Sequence, residues 1–308
     1  MTKDLKLDRR TFVATASAGA ASQLVPFGGR PATAATPLTK AAAGIDLPVI
    51  GMGSWLTFDV GRNKRLRQAR TKVLEAFFEA GGGMIDSSPM YGTSEEVIGH
   101  ALKNLPPQPT LFSATKVWTV SKWLGIRQME ASQSLWGLKR FDLMQIHNML
   151  DWEAHLETLT DWKAGGRVRL IGITTSHGRR HSAFAKVMET QPFDFVQFTY
   201  NIEDREAEKR LLPLARERGL GVIINRPFRR GGLFDRVKGK PLPAWASEIE
   251  CSSWAQFFLK FVVSHPGVTC AIPATRRVDH MRENMAAGKS PMPDAAMRKR
   301  MADYFDGL

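Results

Sequence analysis

Short apolar runs alternate along most of the chain with longer segments in which apolar residues recur at helical spacing. The apolar runs predict buried strands that end near Gly51, Asp86, Thr115, Ile146, Thr174, Tyr200, Asn225 and Pro273. The amphipathic segments predict helices between the strands, as over residues 64–79, 94–104, 121–138 and 152–164. Eight strand–helix units in about 240 residues predict an α/β fold with a single (β/α)8 TIM barrel.

The glycines favour this barrel over an open doubly wound sheet. They follow two of the predicted helices, at residues 81–83 and 165–166, where glycine commonly ends a helix. No G-x-G-x-x-G pattern follows the first strand, as it would in a Rossmann domain. A stretch rich in Arg, Gly and Pro at residues 229–245 predicts a long loop after the seventh strand, a position from which it could fold over a cofactor.

The first 34 residues have the composition of an export signal. Arg9 and Arg10 precede a weakly apolar run that extends to Leu24, and residues 32–34 (ATA) offer a small-residue cleavage site. Paired arginines before a bulky apolar residue resemble the bacterial twin-arginine signal. We therefore predict an export signal at residues 1–34, a barrel domain at 35–308, the twin-arginine export machinery as a partner, and a periplasmic location. The alternative is an Ala-rich leader with a chance arginine pair.

Charge and cysteine content exclude several classes of function. The formal net charge is +13, of which the first 34 residues contribute +3, and the rest is scattered without an arginine–aromatic stripe. This distribution predicts a solvated surface and no nucleic-acid partner. The two cysteines are too few for a disulfide framework, and no Cys/His spacing typical of a metal site occurs. We expect no metal, and no stable membrane anchor after the leader.

Chemically capable side chains stand at the ends of three successive predicted strands. Asp86 and Tyr91 lie in residues 84–92 (MIDSSPMYG), Lys116 ends residues 113–116 (SATK), and His147 lies in residues 145–148 (QIHN). The carboxyl ends of barrel strands are where catalytic sites are built, and neighbouring strands lie about 4.8 Å apart. An acid, a phenol, an amine and an imidazole are therefore expected to meet at one site.

These four residues, in this order, resemble the catalytic tetrad of the aldo-keto reductase superfamily. The resemblance extends to residues 91–95 (YGTSE), 165–172 (GGRVRLIG) and 197–201 (QFTYN), and to Ile272-Pro273 with Asn284. It covers the chain from about Leu47 to Ala287. It implies a barrel enzyme that reduces aldehydes or ketones to alcohols with NAD(P)H, acting on a small-molecule carbonyl substrate.

Each residue of the tetrad is expected to have a different role in the reaction. Tyr91 is the candidate proton donor, and a free phenol titrates near 10. Lys116 is expected to lower that pKa, and Asp86 to hold and neutralise Lys116 as a buried pair. His147 is expected to donate a hydrogen bond to the substrate oxygen. Taken singly, each of these residues is better explained as a capping or solvated side chain, and the catalytic interpretation rests on the presence of all four.

The resemblance also implies cofactor contacts, and NADPH is the predicted cofactor with NADH as the alternative. The family holds the nicotinamide carboxamide with a Ser-Asn pair and a Gln, where this chain has Thr174-Thr175 and Gln197. It often stacks a Tyr on the ring, where this chain has the segment Asn225, Arg226 and Pro227. The predicted contacts in the final segment are Thr275, Arg276 and Asn284. Arg276 could pair with phosphate, and a solvated helix start is the alternative.

Trp55 follows the first predicted strand and Trp118 follows Lys116, so both are predicted to line the substrate pocket. Such a pocket favours an apolar or aromatic aldehyde or ketone. A second hypothesis of a different class is a nicotinamide-nucleotide-binding sensor or partner-docking barrel with little turnover. It rests on the altered cofactor positions Thr175, Asn225, Ala274 and His280.

Overall fold

The computed structural model describes residues 37–176 and 178–308. The predicted export signal and its boundary after residue 34 lie outside these residues. Within the described part of the chain, no helix combines the length and the apolar character that a membrane crossing requires.

The fold begins with an antiparallel hairpin and continues as a sheet of eight parallel strands. The hairpin consists of β1 (Thr39–Ala42) and β2 (Ile45–Pro48). The parallel strands are β3 (Met52–Gly53), β4 (Met84–Asp86), β5 (Phe112–Val117), β6 (Phe141–Ile146), β7 (Val168–Thr174), β8 (Phe195–Thr199), β9 (Gly221–Asn225) and β10 (Cys270–Ala271). Every observed strand end lies within two residues of its predicted position.

The order of the strands in the sheet follows their order in the chain from β3 to β10. Parallel bridges from Ile50 to Ala271 and from Gly53 to Ala274 bring the first strand against the last. Gly53 permits this approach, because a Cβ atom there would lie 2.8 Å from the carbonyl oxygen of Ile272. The predicted (β/α)8 TIM barrel is confirmed.

Helices alternate with the barrel strands. They are α1 (Lys64–Glu79), α2 (Ser94–Lys103), α3 (Lys122–Trp136), α4 (Trp152–Ala164), α5 (His181–Thr190), α6 (Leu211–Glu217), α7 (Gly232–Arg236), α8 (Trp254–Val263), α9 (Val278–Ala286) and α10 (Ala295–Asp306). Helix α1 has the predicted bounds. The side chain of Asn63 caps it by accepting from the backbone N–H of Leu66, and Val73, Leu74 and Phe77 form its buried face.

Two apolar clusters leave the carboxyl end of the barrel available for polar chemistry. The larger cluster lies between the barrel and its helices. The smaller cluster joins Leu47 of the hairpin to Met84, Phe112 and Phe195, which are the first residues of β4, β5 and β8. The hairpin thus packs against the amino ends of the strands, and the predicted catalytic side chains lie at the opposite end.

The segment after β9 differs from the long loop predicted for residues 229–245. It contains a 3-10 turn at Arg229–Gly231, the short helix α7, and the start of a second 3-10 segment at Ala244–Ile249. Leu233 and Val237 are buried four residues apart, so packing of one apolar face orders the segment despite its Gly and Pro content. The prediction of a long loop was therefore wrong for residues 229–236, which form helical turns.

Candidate active site

Asp86 and Lys116 form a buried ion pair at the carboxyl ends of β4 and β5. The Nζ atom of Lys116 lies 2.5 Å from Oδ2 of Asp86, and neither side chain is exposed by more than 2%. The same Nζ atom donates to the backbone carbonyl of Ser87 at 2.8 Å. The pair predicted from the sequence is therefore present, and backbone and carboxylate together fix the ammonium group.

Two glutamines complete the surroundings of Asp86. Its Oδ1 atom accepts from Nε2 of Gln145 at 2.8 Å and from Nε2 of Gln197 at 3.0 Å. Sequence reasoning missed Gln145, although the two-residue period of a strand places it on the same face as His147. For Gln197, which was predicted to hold the nicotinamide carboxamide, the structure shows an amide nitrogen bonded to Asp86.

Tyr91 lies in the turn after β4, and its ring centroid is 5.1 Å from Nζ of Lys116. The turn depends on Gly92, which has φ +60° and lacks the Cβ atom that would lie 2.4 Å from Oδ2 of Asp59. Asp59 accepts there from both the backbone and the hydroxyl of Thr93. The Tyr-Gly sequence thus allows the chain to reverse while the phenol stays beside the ammonium group.

His147 follows β6, and its ring meets the ring of Tyr91 edge to face with centroids 5.7 Å apart. Burial, together with the positive charge of Lys116, lowers the pKa of His147 to about 2. The imidazole is therefore neutral at physiological pH. It can donate one hydrogen bond without carrying a charge into the site.

The electrostatics of Tyr91 correct one prediction. Burial raises the pKa of the Tyr91 phenol above its ordinary value, and the positive charge of Lys116 offsets only part of this effect. For Lys116, burial alone would lower the pKa, but the charges of Asp86 and Tyr91 and its hydrogen bonds outweigh burial and raise it. The prediction that the pKa of Tyr91 lies below its ordinary value was wrong. Burial destabilises the charged phenolate more than the positive charge of Lys116 stabilises it.

The tetrad opens onto a cavity of about 550 Å³ at the carboxyl end of the barrel. Tyr91, His147 and Asp86 contribute to its wall, and Trp55 lines it as predicted. Trp118 does not line it. The Trp118 side chain is 40% exposed, and its ring centroid lies 6.5 Å from that of His147. Only one of the two predicted substrate tryptophans therefore faces the cavity.

Five of the nine residues predicted to bind the cofactor line the same cavity. They are Thr174, Gln197, Asn225, Arg226 and Pro227.

The other four lie outside the lining. Thr175 is buried, and its carbonyl accepts from Nδ2 of Asn225 at 3.0 Å. Thr275, Arg276 and Asn284 belong to the segment from β10 into α9, where Thr275 and Asn284 are buried and Arg276 is exposed.

Asn148 is a second residue that sequence reasoning missed. It lines the cavity directly after His147, in a left-handed backbone conformation with φ 54°. Its backbone N–H donates to the hydroxyl of Thr174 at 3.0 Å, while its Oδ1 atom is buried and has no hydrogen-bond partner among the described residues. A buried acceptor without a partner is costly, which indicates that a ligand donor belongs there.

Cationic side chains approach the cavity from the segment after β9. Arg226 and Arg230 both line it, and the guanidinium of Arg230 lies 4.3 Å from the ring centroid of Trp55. Among the described residues of the wall, Asp86 is the only acid, and Lys116 neutralises it. The wall therefore contains two arginines and one acid that is already paired, a composition suited to an anionic group.

Comparison with known proteins supports what the fold and the tetrad indicate. A family model described as the Aldo/keto reductase family matches residues 49–300. Aldo-keto reductase YhdN of Bacillus subtilis is 24% identical over 214 residues, which cover 64% of this chain and 63% of that protein. The NADH-specific methylglyoxal reductase of Escherichia coli is 26% identical over 246 residues, which cover 68% of this chain and 71% of that protein.

A solved aldo-keto reductase from Klebsiella pneumoniae in complex with NADPH has the same fold. It superposes with a TM-score of 0.72 at 23% identity, covering 87% of this chain and 95% of that one. Because the family model spans most of the sequence, this chain belongs to the aldo/keto reductase family, the class of oxidoreductase that reduces aldehydes and ketones with a nicotinamide cofactor.

Proposed function

We propose that this protein reduces an apolar aldehyde or ketone to the alcohol with NADPH, and that Tyr91 delivers the proton. The observation that carries the proposal is the 2.5 Å contact between Lys116 and Asp86, which fixes a cation 5.1 Å from the centroid of the Tyr91 ring. An acid at the wall of a cavity, backed by a cation and its counter-ion, is typical of a working active site.

The residues of the cavity fit a nicotinamide nucleotide. The unpartnered Oδ1 atom of Asn148 can accept from an amide, and Arg226 and Arg230 provide cations for a phosphate-bearing ligand. A nicotinamide held there would supply a hydride to the carbonyl carbon. The protein's own side chains would donate the proton, orient the substrate and stabilise the charges that form.

Tyr91 donates its phenolic proton to the carbonyl oxygen while the carbon–oxygen double bond becomes a single bond. The charge left on the phenolate is stabilised by Lys116, whose ammonium is held by Asp86 and by the Ser87 carbonyl. A phenol is protonated at neutral pH, and burial raises the pKa of Tyr91 further, so the proton is in place before the substrate arrives. His147 can hold the substrate oxygen by a hydrogen bond and stabilise the charge that develops on it.

The walls of the cavity suggest the class of substrate. Apolar side chains at its mouth include Leu56, Met90 and Phe234, each more than a third exposed, and Trp55 adds a large aromatic face. Exposed apolar groups around a polar reaction centre favour a substrate with an aromatic or branched aliphatic body. We therefore infer a bulky aldehyde or ketone in preference to a small hydrated one.

Activity assays of leaderless protein test the reaction directly. The wild type should oxidise NADPH in the presence of an aromatic aldehyde, and Tyr91→Phe should lower kcat by about 10²–10⁴-fold with the affinity for NADPH unchanged. Full activity of Tyr91→Phe would show that another group supplies the proton.

The second candidate is a nucleotide-binding sensor with little turnover. Gln197 supports it, since this residue was expected to hold the nicotinamide carboxamide and its amide nitrogen is bonded to Asp86 and to Oε1 of Gln145. Fluorescence titration with NADPH and NADH separates the candidates. Tight binding without turnover across a panel of carbonyl compounds would favour the sensor.

We propose in addition that residues 1–34 direct export of the folded enzyme to the periplasm by the twin-arginine route. The arginine pair at residues 9 and 10, the weakly apolar run and the small-residue triplet support this assignment. The test compares the full chain with an Arg9→Lys, Arg10→Lys double variant in a bacterial host and measures the enzyme in the periplasmic fraction. Equal periplasmic amounts would contradict the proposal.

A further inference from the structure

Ser88 connects the two groups that are assigned to the substrate oxygen. It lies in the turn between β4 and Tyr91 and is fully buried. Its Oγ atom is 2.8 Å from Nδ1 of His147, although 59 residues separate the two in sequence. Its backbone carbonyl accepts from the N–H of Tyr91 at 2.9 Å. One residue therefore contacts the proton donor through its backbone and the imidazole through its side chain.

The donor in the Ser88–His147 hydrogen bond can be identified from the other hydrogen bonds of the Ser88 hydroxyl. The hydroxyl oxygen of Ser88 accepts from the backbone N–H of Met90 at 3.2 Å. If Nδ1 of His147 also donated to this oxygen, the hydroxyl proton would have no acceptor among the described residues in a buried place. If the hydroxyl donates to Nδ1, the hydroxyl proton, its oxygen and Nδ1 all have partners. Buried polar groups are almost always satisfied, so the second arrangement is favoured.

The consequence appears at the other ring nitrogen. A neutral imidazole carries one proton, and if Nδ1 is the acceptor the proton is on Nε2. No hydrogen bond to Nε2 occurs among the described residues, and His147 lines the cavity. The contact with Ser88 therefore leaves a hydrogen-bond donor available at the place where the substrate oxygen is expected.

We propose that Ser88 is a positioning residue that holds His147 as the Nε2–H tautomer, with that N–H directed at the substrate carbonyl. The Tyr91 ring packs at 90° to the imidazole, with the ring centroids 5.7 Å apart, and limits the rotation of the imidazole from another side. The role in catalysis rests on the proposed carbonyl reduction, whereas the tautomer is a property of the protein without substrate. The two statements can therefore be tested separately.

The tautomer is tested first on the wild type by ¹⁵N NMR of histidine-labelled protein. The His147 signals are assigned by their loss in His147→Gln. We expect the protonated, pyrrole-type resonance at Nε2 and the unprotonated, pyridine-type resonance at Nδ1, shifted by an accepted hydrogen bond. A protonated Nδ1 would overturn the proposal, whatever the activity of the enzyme.

The variant Ser88→Ala removes the hydroxyl and keeps the backbone contact to Tyr91. We expect the hydrogen-bond shift at Nδ1 to disappear and kcat to fall about five- to tenfold, with the Kd for NADPH unchanged. Ser88→Thr keeps a hydroxyl and should recover both the shift and most of the activity.

Ser113→Ala is the matched control. Ser113 is a buried serine of β5 whose hydroxyl bonds Asp142 and does not contact His147. It should leave the His147 spectrum and kcat unchanged. If Ser88→Ala behaves like Ser113→Ala in both measurements, Ser88 does not position His147. If the spectra change as expected but no carbonyl compound is reduced by any form, the tautomer assignment stands and the proposed function fails.

Discussion

The Nζ atom of Lys116 lies 2.5 Å from Oδ2 of Asp86 in a part of the barrel that water does not reach. The carboxylate keeps a buried lysine charged, and in the proposed mechanism that charge stabilises a phenolate at Tyr91. If the mechanism is right, stability and proton delivery depend on the same pair of atoms.

Lys116→Met should damage both properties. It leaves the carboxylate of Asp86 buried without a cation, which costs about 3–5 kcal/mol, although the bonds from Gln145 and Gln197 remain. It also removes the charge that opposes the effect of burial on the Tyr91 pKa. We expect kcat to fall by about 10²-fold or more while NADPH still binds. Chemical denaturation and steady-state kinetics measure the two effects.

The double variant Lys116→Met, Asp86→Asn should regain part of the lost stability, because it removes the unpaired charge. Lys122→Met is the control, since Lys122 and Glu157 form an exposed pair. Its free energy of unfolding should change by only about 0–1 kcal/mol. If the double variant is no more stable than Lys116→Met, Asp86 and Lys116 do not act as a buried pair.

The pH dependence of reduction should reflect Tyr91 and not His147. Reduction needs the protonated phenol, so activity is present below the pKa of Tyr91 and lost as the pH rises through it. Burial raises that pKa, which places the loss above the ordinary phenol value of about 10. The pKa of His147, lowered to about 2, keeps the imidazole neutral throughout the accessible range. kcat/KM for reduction should therefore be flat from about pH 5 to about pH 9.

Oxidation of the product alcohol should show the opposite pH dependence. It needs the phenolate as proton acceptor, so its rate should increase with pH where reduction begins to fall. A limb near 6.5 in either profile would show that a histidine titrates in the active site and that His147 is not neutral.

Replacement of the two tryptophans should distinguish the wall of the cavity from its surroundings. Trp55 lines the cavity, whereas Trp118 does not and is 40% exposed. Trp55→Ala should raise KM for an aromatic aldehyde by about tenfold and have a smaller effect with a short aliphatic aldehyde. Trp118→Ala should change KM for both by less than about twofold. The reverse pattern would mean that the aromatic substrate binds outside this cavity.

Two neighbouring arginines should differ in their effect on NADPH preference. Arg277 is paired with Asp279, whereas the Arg276 side chain is exposed and its carbonyl accepts from Arg70. Arg276→Met should weaken the binding of NADPH by about 1.5–3 kcal/mol and leave the binding of NADH nearly unchanged, because only NADPH carries the extra phosphate. Arg277→Met serves as the matched variant and should have the smaller effect. Equal loss for both nucleotides would contradict a phosphate contact by Arg276.

Much of the fold could be predicted from local sequence. Helix α1 has the predicted bounds because its apolar period and its Asn63 cap are both local. The strand ends at Asp86, Ile146, Thr174 and Asn225 were predicted to the residue. Parallel strands bring their carboxyl ends to one side, so the meeting of Asp86, Lys116 and His147 followed from strand order alone.

The tertiary structure decided the features that depend on distant residues or on the balance of burial and charge. Gln197 reaches Asp86 across 111 residues, and Ser88 reaches His147 across 59, so no local pattern could show either contact. The exposure of Trp118 and the helix within residues 229–245 depend on how each segment packs against the barrel. The direction of the Tyr91 pKa shift depends on how completely the phenol is removed from water. The sequence by itself determined that Asp86, Lys116 and His147 meet, because strand order brings them to one end of the barrel, and packing determined how each is held, charged and directed.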